Sequence, residues 1–185
     1  MNMKHRVQRI HRPILFNLSL FMVFLACHST GDMDSKKSQI ERMDNEIWNP
    51  VIILTQEEKK IVTAKSKKLY KNNDDSALLI GDVKVYFHDE NGNRISTLHA
   101  DTARINEQTN DLNANGNVHV VSDSGYTLST NEITWNNSYK MIISKDSVMF
   151  TTLEGDTLNG VGFESDMGLD QWRIFRIFGV TREGI

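Results

Sequence analysis

The chain has a single cysteine in 185 residues, so no disulfide can form within it. Proline is nearly missing as well. Pro13 and Pro50 are the only two, and everything after residue 50 is free of a residue that would delete a ladder hydrogen bond. Length of apolar run is also short. The stretch at residues 14–26 is interrupted by Asn17 and Ser19 and falls below the roughly 20 residues a membrane-spanning helix needs.

Catalytic and metal-binding signatures are absent too. Beyond the first 26 residues the histidines are His28, His88, His99 and His119, and none sits in a His-x-His or His-Glu-x-x-His arrangement. His99 and Asp101 offer at most two ligands on one strand face, and read as a solvated pair. No Gly-x-Ser-x-Gly elbow occurs. Gly160 and Gly162 lack the third glycine and the strand-to-helix setting of a nucleotide loop, and read instead as a tight contact or a bulge. Asp74-Asp75 and Asp89-Glu90 fall in expected turns. The expectation is a protein without catalytic residues, metal or cofactor.

What is present begins at the N-terminus. Lys4, Arg6, Arg9 and Arg12 precede the apolar stretch with no acidic residue among them, which is the layout of a secretion signal over residues 1–26. Phe24-Leu25-Ala26-Cys27 closes it, and a cysteine after a small residue at that point resembles a bacterial lipobox. Cys27 is therefore expected to be lipidated, since two or three acyl chains make a stable anchor. Residues 27–47, with Gly31, Asp32, Asp34, Lys36 and Lys37, read as a polar tether, and residues 48–185 as one domain. Without residues 1–26 the chain keeps 17 Lys and Arg against 24 Asp and Glu, a net of −7. That balance argues against nucleic acid, which needs clustered positive charge.

The body of the chain repeats. Leu98, Ala103 and Asn106 recur as Leu128, Ile133 and Asn136, and again as Leu158, Phe163 and Asp166, each time 30 residues on. Upstream of each copy stands a second element, with Val83 and Val85, Val118 and Val120, or Val148 and Phe150. A turn glycine separates the two elements: Gly92, Gly125 or Gly155. Each unit reads strand, turn, strand, with Val83, Val85 and Phe87 alternating with Lys84, Tyr86 and His88. Asn115-Gly116 and Asp111 read as turns between units. Residues 56–70 hold Glu and Lys enough for a helix, but Ile61-Val62-Thr63 favours a strand. An all-β fold follows, closed by packing two sheets on each other. Its inward face is expected to comprise Val83, Val85, Val118, Val120, Leu128, Ile133, Val148, Phe150, Leu158 and Phe163.

The repeat region, from about Leu79 to Gly179, resembles the LptC family of lipopolysaccharide export proteins in its lipoprotein form. The residues that carry the resemblance are Leu98, Ala100, Asp101 and Ala103; Gly116, Asn117, Val118 and Val120; Leu128 and Thr130; Trp135-Asn136; Ile142 and Ser144; Val148; and Gly160, Gly162, Phe163 and Asp166. The resemblance implies a twisted, partly open β-jellyroll, similar to the OstA/LptA type, whose apolar groove takes the acyl chains of lipopolysaccharide. It implies a place in the periplasm on the inner membrane, beside an ABC transporter of LptB, LptF and LptG. It also implies handover to an LptA-like bridge protein by edge-strand pairing. Better-known family members carry one N-terminal transmembrane helix, which Cys27 and a short apolar stretch replace here. Two other readings stand beside this one: a structural or adhesin-like β-repeat lipoprotein with a dry core and a protein partner, and a lipoprotein-trafficking chaperone.

Overall fold

The computed structural model describes residues 45–71 and 75–182. The expected signal, Cys27 and nearly all of the tether lie outside the described residues. Eleven antiparallel strands follow in order: β1 (Asn45–Trp48), β2 (Val51–Gln56), β3 (Lys59–Lys65), β4 (Lys68–Lys71), β5 (Ser76–His88), β6 (Arg94–Asn106), β7 (Leu112–Ser122), β8 (Thr127–Asn136), β9 (Met141–Thr151), β10 (Thr157–Asp166) and β11 (Trp172–Thr181). There is no helix among the described residues, and residues 56–70 are strand on either side of two turns. β1 begins at Asn45, ahead of the boundary expected at residue 48.

All eleven strands belong to one sheet, in the order β1-β4-β5-β6-β7-β8-β9-β10-β11, with β3 also on β5 and β2 on β3. The edges do not meet, so the sheet stays open. What was expected as two sheets is one sheet folded over. Phe87 stands in register with Ser96 and Ser122, whereas Trp135 pairs with Leu112 at the other end of β7. In a flat sheet those positions would lie roughly 30 Å apart along the strands. Their ring centroids are 5.8 Å apart. Phe150 and Trp172 show the same, at 4.6 Å, although register places them eight residues apart along β11.

The fold line is a row of bulges. Pairing slips between Ile80 and Val83 in β5, His99 and Thr102 in β6, Asn115 and Val118 in β7, Ser129 and Thr134 in β8, and Val161 and Phe163 in β10. Extra residues on one strand bend it and sharpen its twist, and a row of them bends the whole sheet. Each long strand therefore crosses from a first layer (β1, β4 and the halves of β5–β11 beyond the bend) into a second layer that begins with β2 and β3. Gly116 corrects an expectation here. It sits inside β7 at φ +78° followed by Asn117 at φ +45°, a bulge and not a turn between units. Turn and bulge both demand positive φ, so sequence alone does not separate them.

The repeat maps onto this architecture. Leu98, Leu128 and Leu158 lie in one cross-strand ladder of the second layer. Ala103 and Ile133 share a ladder in the first layer, and Phe163 also faces inward there, paired with Ser144 and Ile174. Asn106, Asn136 and Asp166 each begin a turn at the outer end of the first layer. Asn106 Oδ1 accepts the N–H groups of Gln108 and Thr109, Asn136 Oδ1 that of Tyr139, and Asp166 Oδ1 those of Asp170 and Gln171. A side-chain carbonyl or carboxylate bonding the backbone two to five residues on is what fixes such turns.

Candidate functional site

The inner face of the second layer carries one apolar ladder across nine strands: Ile52, Ala64, Val85, Leu98, Val120, Leu128, Phe150, Leu158 and Val180 stand side by side from β2 to β11. Nearer the bend, Val118 and Val148 add a second row. The first layer answers with Leu79, Ala103, Ala114 and Ile133, and, closer to the strand ends, with Ile105, Leu112, Trp135 and Ile142. Together the two faces line a trough between the layers.

Nine of the ten residues expected to face inward are buried: Val83, Val85, Val118, Val120, Leu128, Ile133, Val148, Phe150 and Phe163. Leu158 is partly buried and packs on the same cluster. Ile133 and Phe163 come from the first layer and the rest from the second, so sequence gathered residues from both walls without separating them. It missed Trp135, Leu112, Ile105, Ile142 and Trp172. Trp135 is in the sequence as Trp135-Asn136, but nothing local marks its ring as a contact to Phe87 on the opposite wall.

In the middle the trough is filled by its own side chains. Phe150 packs on Phe163 at 5.3 Å and on Trp172 at 4.6 Å, drawn from the opposing layer. At the C-terminal edge the filling ends. Val180, the last rung of the ladder, and Ile177, the partner of Gly160, are each 53% exposed. At the other edge Ile47 extends the first-layer row and is half exposed. The trough is closed in its centre and bare at both ends.

The side opposite the bend, where the layers could part, is held by the turn at residues 167–171. Ser96 Oγ donates to the carbonyl oxygen of Met167, and Ser124 Oγ to Asp170 Oδ1 at 3.0 Å, both from second-layer positions to a first-layer turn. Between them Leu169 is fully buried at φ +61°, a backbone conformation that costs a branched residue roughly 1–2 kcal/mol. Trp135 Nε1 is buried in the same wall without a hydrogen-bond partner.

His88 keeps the place that alternation gives it, on the face of Tyr86 and Thr63. It is nonetheless buried, with Nε2 3.3 Å from Thr63 Oγ1, a neighbour whose strand partner is Tyr86. Burial pushes its pKa below the usual 6.5, and Lys60 adds to the shift. His119 faces outward with Nδ1 2.9 Å from Ser129 Oγ. His99 pairs with it across the strands, while Asp101 accepts from Asn117 Nδ2. Among the described residues no three His, Cys, Asp or Glu side chains converge on a point that could hold a metal. Outside the trough, a groove of about 450 Å³ crosses the outer face over the gap in β8–β9 pairing, lined by His119, Ser129, Met149, Asn159 and Phe178 among others.

Among the described residues no helix is long and apolar enough to cross a membrane. A comparison with curated proteins gives no match. A family model does match: lipopolysaccharide-assembly, LptC-related, over residues 85–174, from the second-layer half of β5 into β11. That span holds most of the ladder, the bend and the turn that closes the trough. With the open, folded sheet, it identifies the chain as an LptC-related protein, a component of lipopolysaccharide transport in the cell envelope.

Proposed function

We propose that this protein stands on the periplasmic face of the inner membrane, held by lipidated Cys27, and carries lipopolysaccharide through the trough. It takes the lipid from an ABC transporter of the LptB, LptF and LptG kind and passes it to an LptA-like bridge protein. The ladder from Ile52 to Val180 carries this reading. It is continuous, apolar, and exposed where it reaches β11. Acyl chains laid against such a face gain about 25 cal/mol per Å² of apolar surface removed from water. β11 is a ten-residue strand, bulged at Phe178, with a free edge among the described residues, and a second jellyroll adding a strand there extends the trough from one protein into the next. Transporter ATP hydrolysis drives the movement, so no side chain here needs to break a bond, and the protein acts as a conduit and not as an enzyme.

A second reading has one observation in its favour. The centre of the trough is packed by Phe150, Phe163 and Trp172, as a dry core of an interaction module would be. Depletion of the protein in its host separates the two. The conduit reading predicts that lipopolysaccharide accumulates in the inner membrane and growth fails. Normal surface lipopolysaccharide after depletion contradicts it.

A further inference from the structure

Charge is unevenly divided along the sheet. Residues 45–71 hold six lysines against three glutamates, a net of +3, and residues 75–182 hold eight Lys and Arg against fifteen Asp and Glu, a net of −7. The four N-terminal strands are thus a basic end on an acidic body. They also carry four large apolar residues that are about half exposed or more: Ile47, Trp48, Val51 and Ile53.

Register places the key groups together at the bend. Trp48 pairs with Lys68 on the outer face of the first layer, and Lys68 Nζ lies 4.0 Å from the Trp48 ring centroid. Just across Asn49 and Pro50, Val51 pairs with Lys65 on the outer face of the second layer, and Lys65 with Lys84. Between them the backbone of Lys67 joins the two sides, receiving from Asn49 N–H at 2.9 Å and donating to Gly81 O at 2.8 Å. Glu46 pairs with Lys68 and Asp82 with Lys84, so Lys65 and Lys67 supply the local excess of positive charge.

Strand addition does not account for this corner. The free edge is cut into strands of four and six residues by Pro50, which has no N–H to offer. A partner that needs no register suits it better. We infer that the N-terminal corner of the sheet, with Trp48 and Val51 flanked by Lys65, Lys67 and Lys68, docks on an anionic lipid bilayer surface. Indole rings settle at the headgroup level, and each lysine near an acidic leaflet adds attraction that salt screens. The docked corner leaves β11, at the far edge of the sheet, away from the bilayer. This inference does not depend on what fills the trough or on how the N-terminus is held.

The test uses the full chain reconstituted into vesicles of phosphatidylcholine alone, or with phosphatidylglycerol. The Trp48 signal is the fluorescence difference between the wild type and Trp48→Phe, read through quenching by nitroxide-headgroup lipid and by iodide. Docking predicts headgroup quenching of Trp48 and loss of iodide access in the anionic vesicles alone, reversed by high salt. Lys65→Gln and Lys67→Gln should each lower the docked-to-free ratio about fivefold, with the circular dichroism of the wild type. Equal iodide access in both vesicle types overturns the inference. So does shielding of Trp48 that persists in neutral vesicles and in detergent, which would mean that another stretch of this chain, or a second copy, covers the corner.

Discussion

Ser124 and Asp170 meet across the open side of the trough, Oγ 3.0 Å from Oδ1, although 46 residues separate them in the chain. The turn that Asp170 belongs to is the one that inserts Leu169 between the layers, and Leu169 occupies a left-handed conformation to do so. A contact made at the expense of backbone strain gives an unusual mutational order. Leu169→Ala should lower the unfolding free energy by about 2–4 kcal/mol. Leu169→Gly should cost no more than the alanine variant, because glycine is at ease at positive φ. Urea unfolding of the two variants checks this, and a glycine variant clearly weaker than alanine would mean that the strain is not there.

The bend has a similar test at Gly116. A Cβ there would lie 3.0 Å from Asp101 Cβ and closer still to its carboxylate, and φ is +78°. Gly116→Ala should destabilise by about 1–3 kcal/mol through backbone strain alone, with the steric overlap added. Pairing it with Asp101→Ala should recover the overlap and leave the strain, which a double-mutant cycle in denaturant separates.

Those two sites mark where reading the sequence stops. Leu98, Leu128 and Leu158 were legible because period-two alternation and a fixed 30-residue spacing are local properties, and the structure puts all three in one ladder. Gly116 was legible as a positive-φ position but not as a bulge, since a hairpin turn makes the same demand. Closure was not legible at all. Phe87 against Trp135, and Leu169 beneath Ser96 and Ser124, depend on where the sheet folds over, and no pair of these lies within a common unit of the repeat. The face of His88 was legible from alternation but its burial was not, because its contact to Thr63 joins strands 25 residues apart.

His88 gives a pH dependence with a definite sign. Its folded pKa lies below the usual 6.5 because burial disfavours the imidazolium. Between the lowered value and 6.5 the unfolded chain binds more protons, so stability rises with pH across that window and is lost as pH falls through it. His88→Asn should flatten the profile of unfolding free energy below about pH 6.5. A profile unchanged by the substitution would assign the dependence to another group.

The free edge of β11 can be blocked without touching the core. Ile177 and Val180 are half exposed, so Ile177→Lys and Val180→Lys should change stability by no more than about 0.5 kcal/mol each. A charge on the face and edge of a strand discourages another strand from joining it. Both variants should therefore fold normally, lose capture of an LptA-like partner in a pull-down, and fail to support growth. Undiminished capture would place the handover elsewhere.

Lipid passage through the trough is tested most directly by site-specific photo-crosslinking in living cells. A photoreactive residue replaces Phe150, on the inner ladder, or Met149 beside it, which is half exposed on the outer face. The conduit account predicts lipopolysaccharide adducts at position 150 and none at 149. A folded protein that gives no lipid adduct at position 150 contradicts it, and leaves the packed interior as a core and nothing more.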